Sequence, residues 1–434
     1  MEIYVVQPGD TIYSIAAQFG VSAEELIQDN ELASPLELVV GQTIVIAYPK
    51  QIYTVQEGDT LISIAATYEI TVQQLLRNNP FLSGNASVSP GESLVISYNT
   101  TRALITNGLV YPYVEEESLR KTLPNLTYMT VYNYRIIAPG EIISYYDDES
   151  IIRLAREYGT ITLMMATTVS LQGEPNIDLV YSLLTIEEYQ DNVINGVLEI
   201  MKSKGYQGVN FLYNFMTETN QSLYYYFTAK AASRIRAEGF LFFVTFNLNV
   251  TFTNALAVNN VDYAPISQVA DGIIFMQIIW GTNYGPPSPV SNTSNLISFI
   301  ENTVTTLPPE KLILGSSVIS YDWKLPFIPG STTANALSIN SALGLAYDTG
   351  SMIQFDDLSM TPYFYYSRIS VNKVEQHIVW SLDARSIDSI GQIVNNYSLT
   401  GIGVWNVMIY YGQLWLVLRA QFDITKLLPE SFME

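Results

Sequence analysis

Tyr4-Val-Val-Gln is a short β-run, and beyond it Ile12, Ile15, Ala16 and Phe19 recur at the spacing that gathers apolar side chains on one helical face. Between them, Gly9-Asp10-Thr11 turns the chain and supplies an N-cap. A second helix is predicted over about 22–29, and 43–46 reads as a closing strand. The pattern then repeats. Tyr4, Val6, Gly9, Asp10, Thr11, Ile15 and Ala16 return as Tyr53, Val55, Gly58, Asp59, Thr60, Ile64 and Ala65; Leu26 and Asn30 return as Leu75 and Asn79; and 41–46 returns as 91–96. Two copies of one strand-helix-helix-strand unit are therefore expected, at 1–49 and 50–99.

From Thr101 the texture changes to β-runs alternating with helical stretches. Strands are predicted at 103–109, 128–132, 160–165, 208–213, 241–246, 272–276, 312–318 and 401–405, the number a closed α/β barrel of the TIM (β/α)8 type needs. That barrel spans 100–434. The excursion between the seventh and eighth strands, 326–381, is too long for a βα connection and predicts an inserted α+β subdomain forming one wall of a cleft.

Composition narrows the function. The 434 residues contain 20 Lys+Arg against 41 Asp+Glu, a net charge of -21 that repels polyanions and argues against nucleic acid or an anionic membrane as partner. Neutral, sugar-like ligands are favoured. The absence of cysteine excludes disulfides and thiolate chemistry, and the single histidine, His377, leaves no room for a His-rich metal site or a Ser-His-Asp triad. No metal and no cofactor are expected. The start of the chain has neither a basic region nor a long apolar run, so neither a secretory signal nor a membrane span is expected.

The repeated unit resembles the lysin motif, or LysM, with its V-x-x-G-D-T-[IL]-x-x-I-A core and Asn-bearing turn. The resemblance implies binding of N-acetylglucosamine-containing glycans, peptidoglycan or chitin, in a shallow groove between two turns. By position the groove would involve Gly9, Asp10, Thr11 and Ile12 with Asn30, and Gly58, Asp59, Thr60 and Leu61 with Asn79. A Gly-Asp-Thr turn also caps a helix whether or not sugar binds.

The segment 205–215, Gly-Tyr-Gln-Gly-Val-Asn-Phe-Leu-Tyr-Asn-Phe, resembles the fourth strand of glycoside hydrolase family 18, whose pattern is D-x-x-D-x-D-x-E. Its four acidic places fall on Gln207, Asn210, Leu212 and Asn214, none of which titrates near neutral pH. In the family the last Glu protonates the glycosidic oxygen and the Asp two residues earlier orients the substrate's own N-acetyl group, the substrate-assisted route. Segment 271–281 resembles the sixth strand, M-[TA]-Y-[DE]-W: Met276 and Trp280 remain, while Ile278 and Ile279 stand at the Tyr and the acid. Segment 375–385, which holds His377, resembles another recurrent stretch of the family and gives that histidine a fold-supporting hydrogen bond. Two LysM units ahead of such a barrel resemble the spore-germination, cortex-fragment-lytic N-acetylglucosaminidases of endospore formers. That likeness implies deposition on the spore after synthesis in the mother cell, with spore-coat or cell-wall proteins as neighbours.

With the acids gone, the barrel mouth is expected to be lined by Tyr111, Asn133, Met165, Tyr213, Asn214, Asn247, Gln277, Trp280, Tyr321 and Trp405, of which Trp405 would floor the sugar site by resemblance. Rings stack on pyranose faces and amides meet acetamido groups. The alternative is that these aromatics close a blocked cleft. Three functions stay open: a catalytically silent, glycan-binding barrel; a hydrolase with a relocated acid, Glu218, Asp322 or Asp147; and an inhibitor-like or structural barrel that binds protein.

Overall fold

Each N-terminal unit starts its first helix by the same device. Thr11 caps Ile12–Phe19, its hydroxyl accepting from the Ser14 amide at 3.0 Å while Ser14 Oγ accepts from the Thr11 amide at 3.0 Å, and Thr60 and Ser63 repeat the exchange ahead of Leu61–Thr67. In the first unit Glu2–Val5 pairs antiparallel with Thr43–Ile46, and in the second Gln51–Thr54 pairs with Ser93–Ser97. The second helices are Ala23–Asp29 and Val72–Asn78. The computed structural model describes residues 1–84, 87–174, 176–248, 261–276, 285–370 and 373–428.

All eight expected barrel strands form: β1 (Arg102–Val110), β2 (Tyr128–Ile137), β3 (Ile161–Thr167), β4 (Gly208–Tyr213), β5 (Leu241–Asn247), β6 (Gly272–Met276), β7 (Leu312–Ser317) and β8 (Gly401–Trp405). Neighbours are parallel in sequence order, and β8 pairs with β1 to close the barrel. Alternation along each strand separates two layers. On β4, Val209, Phe211 and Tyr213 face the helix Gln221–Ala237, with Phe211 and Phe227 5.4 Å apart, while Asn210 and Leu212 face inward. In β2 the register slips between Tyr132 and Tyr134, so Tyr132 packs inside and Tyr134 outside, with Asn133 between them.

The inserted subdomain begins earlier than 326. Ile319–Leu325 is already one of its strands, pairing antiparallel with both Lys373–Trp380 and Ala334–Ser338, because Tyr321, Trp323 and Leu325 continue an alternation that only Pro326 ends. Thr361–Ser370 and Gln354–Asp356 complete a five-stranded sheet, covered by the helix Ile339–Asp348.

Both LysM units are docked on the barrel. Gln413, at the start of the helix Gly412–Gln421, donates to Thr43 O at 2.7 Å and Asn30 Oδ1 at 3.1 Å and accepts from Thr43 Oγ1 at 3.0 Å. Ile353 N donates to Val40 O at 2.9 Å, and the turn there needs glycine: Gly41 has φ +90°, and a Cβ on it would lie 2.0 Å from Ile353 O. The second unit is held by Arg77, which reaches Ile424 O at 3.0 Å and the Asp423 carboxylate at 3.3 Å.

Candidate functional site

The positions singled out on β4 follow the strand from the bottom of the barrel to its mouth. Gln207 sits at the entry, its Oε1 accepting from Thr162 N at 2.8 Å and Thr162 Oγ1 at 2.6 Å. Asn210 lies within a neutral polar layer: Thr245 Oγ1 donates to its Oδ1 at 2.9 Å, its Nδ2 faces Thr130 Oγ1 at 3.5 Å, and Thr130 donates to Asn107 at 2.8 Å. This chain of amides and hydroxyls carries no charge, and Asn107 Nδ2 is left in it without a hydrogen-bond partner among the described residues. One step up, Leu212 is 4% exposed among Tyr132, Met165 and Trp405. Asn214, half-buried at the strand end, accepts from Asn247 Nδ2 at 3.0 Å. Among the described residues no carboxylate occupies an inward position of the eight strands.

The aromatic lining differs from expectation. Tyr213 does not face the mouth: it is odd-numbered on a strand whose even positions point inward, and its hydroxyl is 2.8 Å from Thr228 Oγ1 on the outer helix. Burial pushes that phenol well above its ordinary range. Tyr321 belongs to the inserted sheet and is 1% exposed beside Trp323. Tyr111 and Trp405 do meet inside the barrel, 5.8 Å apart with Tyr132 also at 5.8 Å from the indole, but Trp405 is 2% exposed. Its face is covered, not offered to solvent. Burying a leucine side chain such as that of Leu212 contributes about 2 kcal/mol, which favours a packed layer here. Met165 is wholly buried in the same layer, and Asn133 spends its amide on Tyr146 O and Asp148 and its oxygen on the amides of Tyr145 and Tyr146. Gln277, Ile278, Ile279 and Trp280 lie outside the described residues.

Two exposed aromatics went unremarked in the sequence. Tyr113 stacks on Tyr111 at 5.3 Å and meets Tyr146 edge-on at 5.2 Å, extending the buried rings outward to the surface. The signal was Tyr111-Pro-Tyr113, two rings just past the end of β1.

The three candidate relocated acids are scattered. Asp147 is exposed, and the backbone amide of Glu149, followed by Lys204, holds its carboxyl below the usual range, the wrong direction for a proton donor at neutral pH. Asp322 is buried in the inserted sheet, accepting from Tyr366 at 2.8 Å and lying 2.9 Å from His377 Nδ1. His377 stacks on Tyr366 at 4.6 Å, consistent with a fold-supporting role. Only Glu218 lies on the loop that leaves β4 beyond Asn214. Among the described residues there is no cluster of three His, Asp or Glu able to hold a metal.

In the LysM units six of the expected groove residues hold the framework together. Ile12 and Leu61 are 0% and 5% exposed, because the first position of an amphipathic helix packs on the strand pair. Asn30 donates to Leu26 O and Val45 O at 3.0 and 2.8 Å and accepts from Val45 N, and Asn79 repeats this with Leu75 and Val95, so neither amide is left for sugar. Asp10 and Asp59 brace their turns by accepting from Tyr4 and Tyr53 and from the amides of Gln7 and Gln56. What stays open is the backbone at Gly9, Thr11, Gly58 and Thr60, all exposed.

Comparison with known proteins agrees with this architecture. The LysM domain model matches residues 4–47 and 53–97, and the model of glycosyl hydrolases family 18 matches 113–408. A cortical fragment-lytic enzyme of Bacillus subtilis (strain 168) is 32% identical over 98% of this chain and 99% of its own, and one of Bacillus anthracis is 29% identical with the same coverage. The crystal structure of the Bacillus megaterium spore cortex-lytic enzyme SleL superposes with a TM-score of 0.77 at 28% identity, covering 98% of both chains.

Proposed function

Since this chain belongs to glycosyl hydrolases family 18 and carries a LysM pair, we propose that it binds N-acetylglucosamine-containing glycans of the peptidoglycan type through its LysM turns, on a barrel that does not cleave them. Its place would be a spore or cell-wall layer, since close relatives bear cortex-lytic names and no described helix is long and apolar enough to cross a membrane. The observation that carries the reading is Leu212 buried in one apolar cluster with Trp405, two residues before an asparagine hydrogen-bonded to another asparagine. An amide cannot surrender a proton, and general acid catalysis is worth about 10²–10⁴-fold.

The test is to incubate the chain with cortex fragments and chitooligosaccharides. Saturable binding without release of reducing sugar is expected, and turnover above a heat-killed control would overturn the silent-barrel reading. The names of the relatives favour a second reading, a hydrolase with a relocated acid. Glu218 is then the residue to test, and activity abolished by Glu218→Gln would establish it.

A further inference from the structure

The two LysM units are fastened to the barrel in different ways. The apolar core of the second, which includes Leu61, Ile64, Leu75 and Ile96, runs without a break into the barrel's outer layer at Leu119, Leu123 and Leu126. The first keeps a core of its own, built on Ile12, Ile15, Leu26 and Ile44. Among the described residues it lends the barrel core only Val45 and Ala47, with Met1 and Ile3 half-buried beside them, and it lends the inserted subdomain Val39. The rest of its seam is polar or charged. Besides the bonds of Gln413, Arg385 Nη2 donates to Gly41 O at 3.3 Å, Glu31 lies 3.3 Å from Lys121, and Asp29 lies 3.9 Å from Arg419. Arg419, 2% exposed, also faces the phenols of Tyr98 and Tyr410, and Glu25 and Glu117 add negative charge near the two carboxyls. Burial raises both carboxyls even against these cations. Docking therefore takes up protons: it is strongest below about pH 4, where Asp29 and Glu31 are neutral whether docked or free, and weakens as pH rises through their docked values. The pivot is also defined. Tyr48 donates to Glu2 within the first unit at 2.8 Å and Lys50 N donates to Ser97 O within the second at 2.8 Å, which leaves Pro49 between them.

We propose that the first LysM unit is a releasable arm, docked on the barrel in acid and freed about Pro49 as Asp29 and Glu31 ionise, while the second unit stays fixed to the barrel. The arm keeps its fold when released, because its own core, its caps and the Asn30 brace to Leu26 and Val45 all lie within it. The proposal does not depend on the glycan-binding reading. Its consequence is that the exposed turn at Gly58 keeps one position relative to the barrel, whereas the turn at Gly9 ranges around the pivot at neutral pH.

The chain has no cysteine, so pairs of spin labels can be placed on the full-length protein and their separation read by pulsed electron paramagnetic resonance. One pair, Ser34→Cys with Asp348→Cys, spans the first unit and the inserted subdomain; a second, Glu57→Cys with Glu310→Cys, spans the second unit and the barrel, all at exposed positions. At about pH 4 each pair should give a single distance, and at about pH 7 the first pair alone should gain a longer, broader population. Asp29→Asn with Glu31→Gln should cut that population severalfold at neutral pH. Gln413→Leu, which removes uncharged bonds of the same seam, should enlarge it at both pH values. A first-pair distance that does not change with pH, a longer population that the Asp29→Asn, Glu31→Gln variant leaves as it was, or equal broadening in both pairs overturns the proposal.

Discussion

An acid in place of Leu212 would have to be hydrated or hydrogen-bonded, and Leu212 is buried among Tyr132, Met165 and Trp405. Leu212→Asp should therefore destabilise the chain by about 3 kcal/mol or more, with the new carboxyl held protonated by burial, as urea denaturation at pH 7 against pH 4 would show. On the silent-barrel reading, a single added acid does not give chemistry. Leu212→Asp with Asn214→Glu is expected to give no useful release of sugar from chitooligosaccharides until Ile278→Tyr is added, because the acetyl group would lack its orienting partner. Equal turnover in the double and triple variants would refute that reasoning. At this scale the sequence disclosed which side chains could not titrate, since that is a property of residue type. It did not disclose that Tyr213 faces a helix, although counting from Asn210 and Leu212 by twos would have placed it there.

Among the elements, the asparagine ending the second helix of each LysM unit ties that helix to the closing strand, and only the first is also tied to the barrel. Asn79→Ala should cost about 2 kcal/mol by leaving Val95 N and two carbonyls unpaired, measured as a shift in the urea midpoint. Gln413→Leu should strand Asn30, Thr43 and Tyr411 together and cost about 2–4 kcal/mol. Limited proteolysis should then cut first near residues 47–51, with the second unit still held by Arg77; uniform resistance would show that the apolar contacts suffice. The repeat made both units legible in the sequence because each is a local pattern of caps and helical spacing. That Asn30 and Asn79 act as braces was hidden, since their partners lie 15 and 16 residues away and, for Asn30, on the barrel.

Across the whole molecule, the LysM-barrel seam carries acids that would rather be neutral. Burial raises the Asp29 carboxyl above its ordinary value against the pull of Arg419, and burial likewise raises Glu31 against Lys121. A carboxyl whose pKa is higher folded than unfolded binds protons preferentially in the folded state. Its contribution is full below the unfolded pKa and is lost as pH rises through the folded one. Glu31→Gln is therefore expected to raise the thermal midpoint at pH 7 and to give no gain below about pH 4, where the wild-type carboxyl is protonated in either state. A midpoint lowered at pH 7 would mean that the Lys121 pair, at 3.3 Å, outweighs the cost of burial. The alternation of β-runs and helices determined the barrel, and the doubled hydrophobic pattern determined the LysM pair, because periodicity and capping are written in neighbouring residues. That Gln207, Asn210, Leu212 and Asn214 are uncharged was equally plain from the sequence. Whether the cleft is open and which amides are spent on the framework depended on contacts between distant segments. Only the folded molecule decided these, since packing density around Trp405 is set by strands far apart in the chain, and no local pattern encodes the volume they leave.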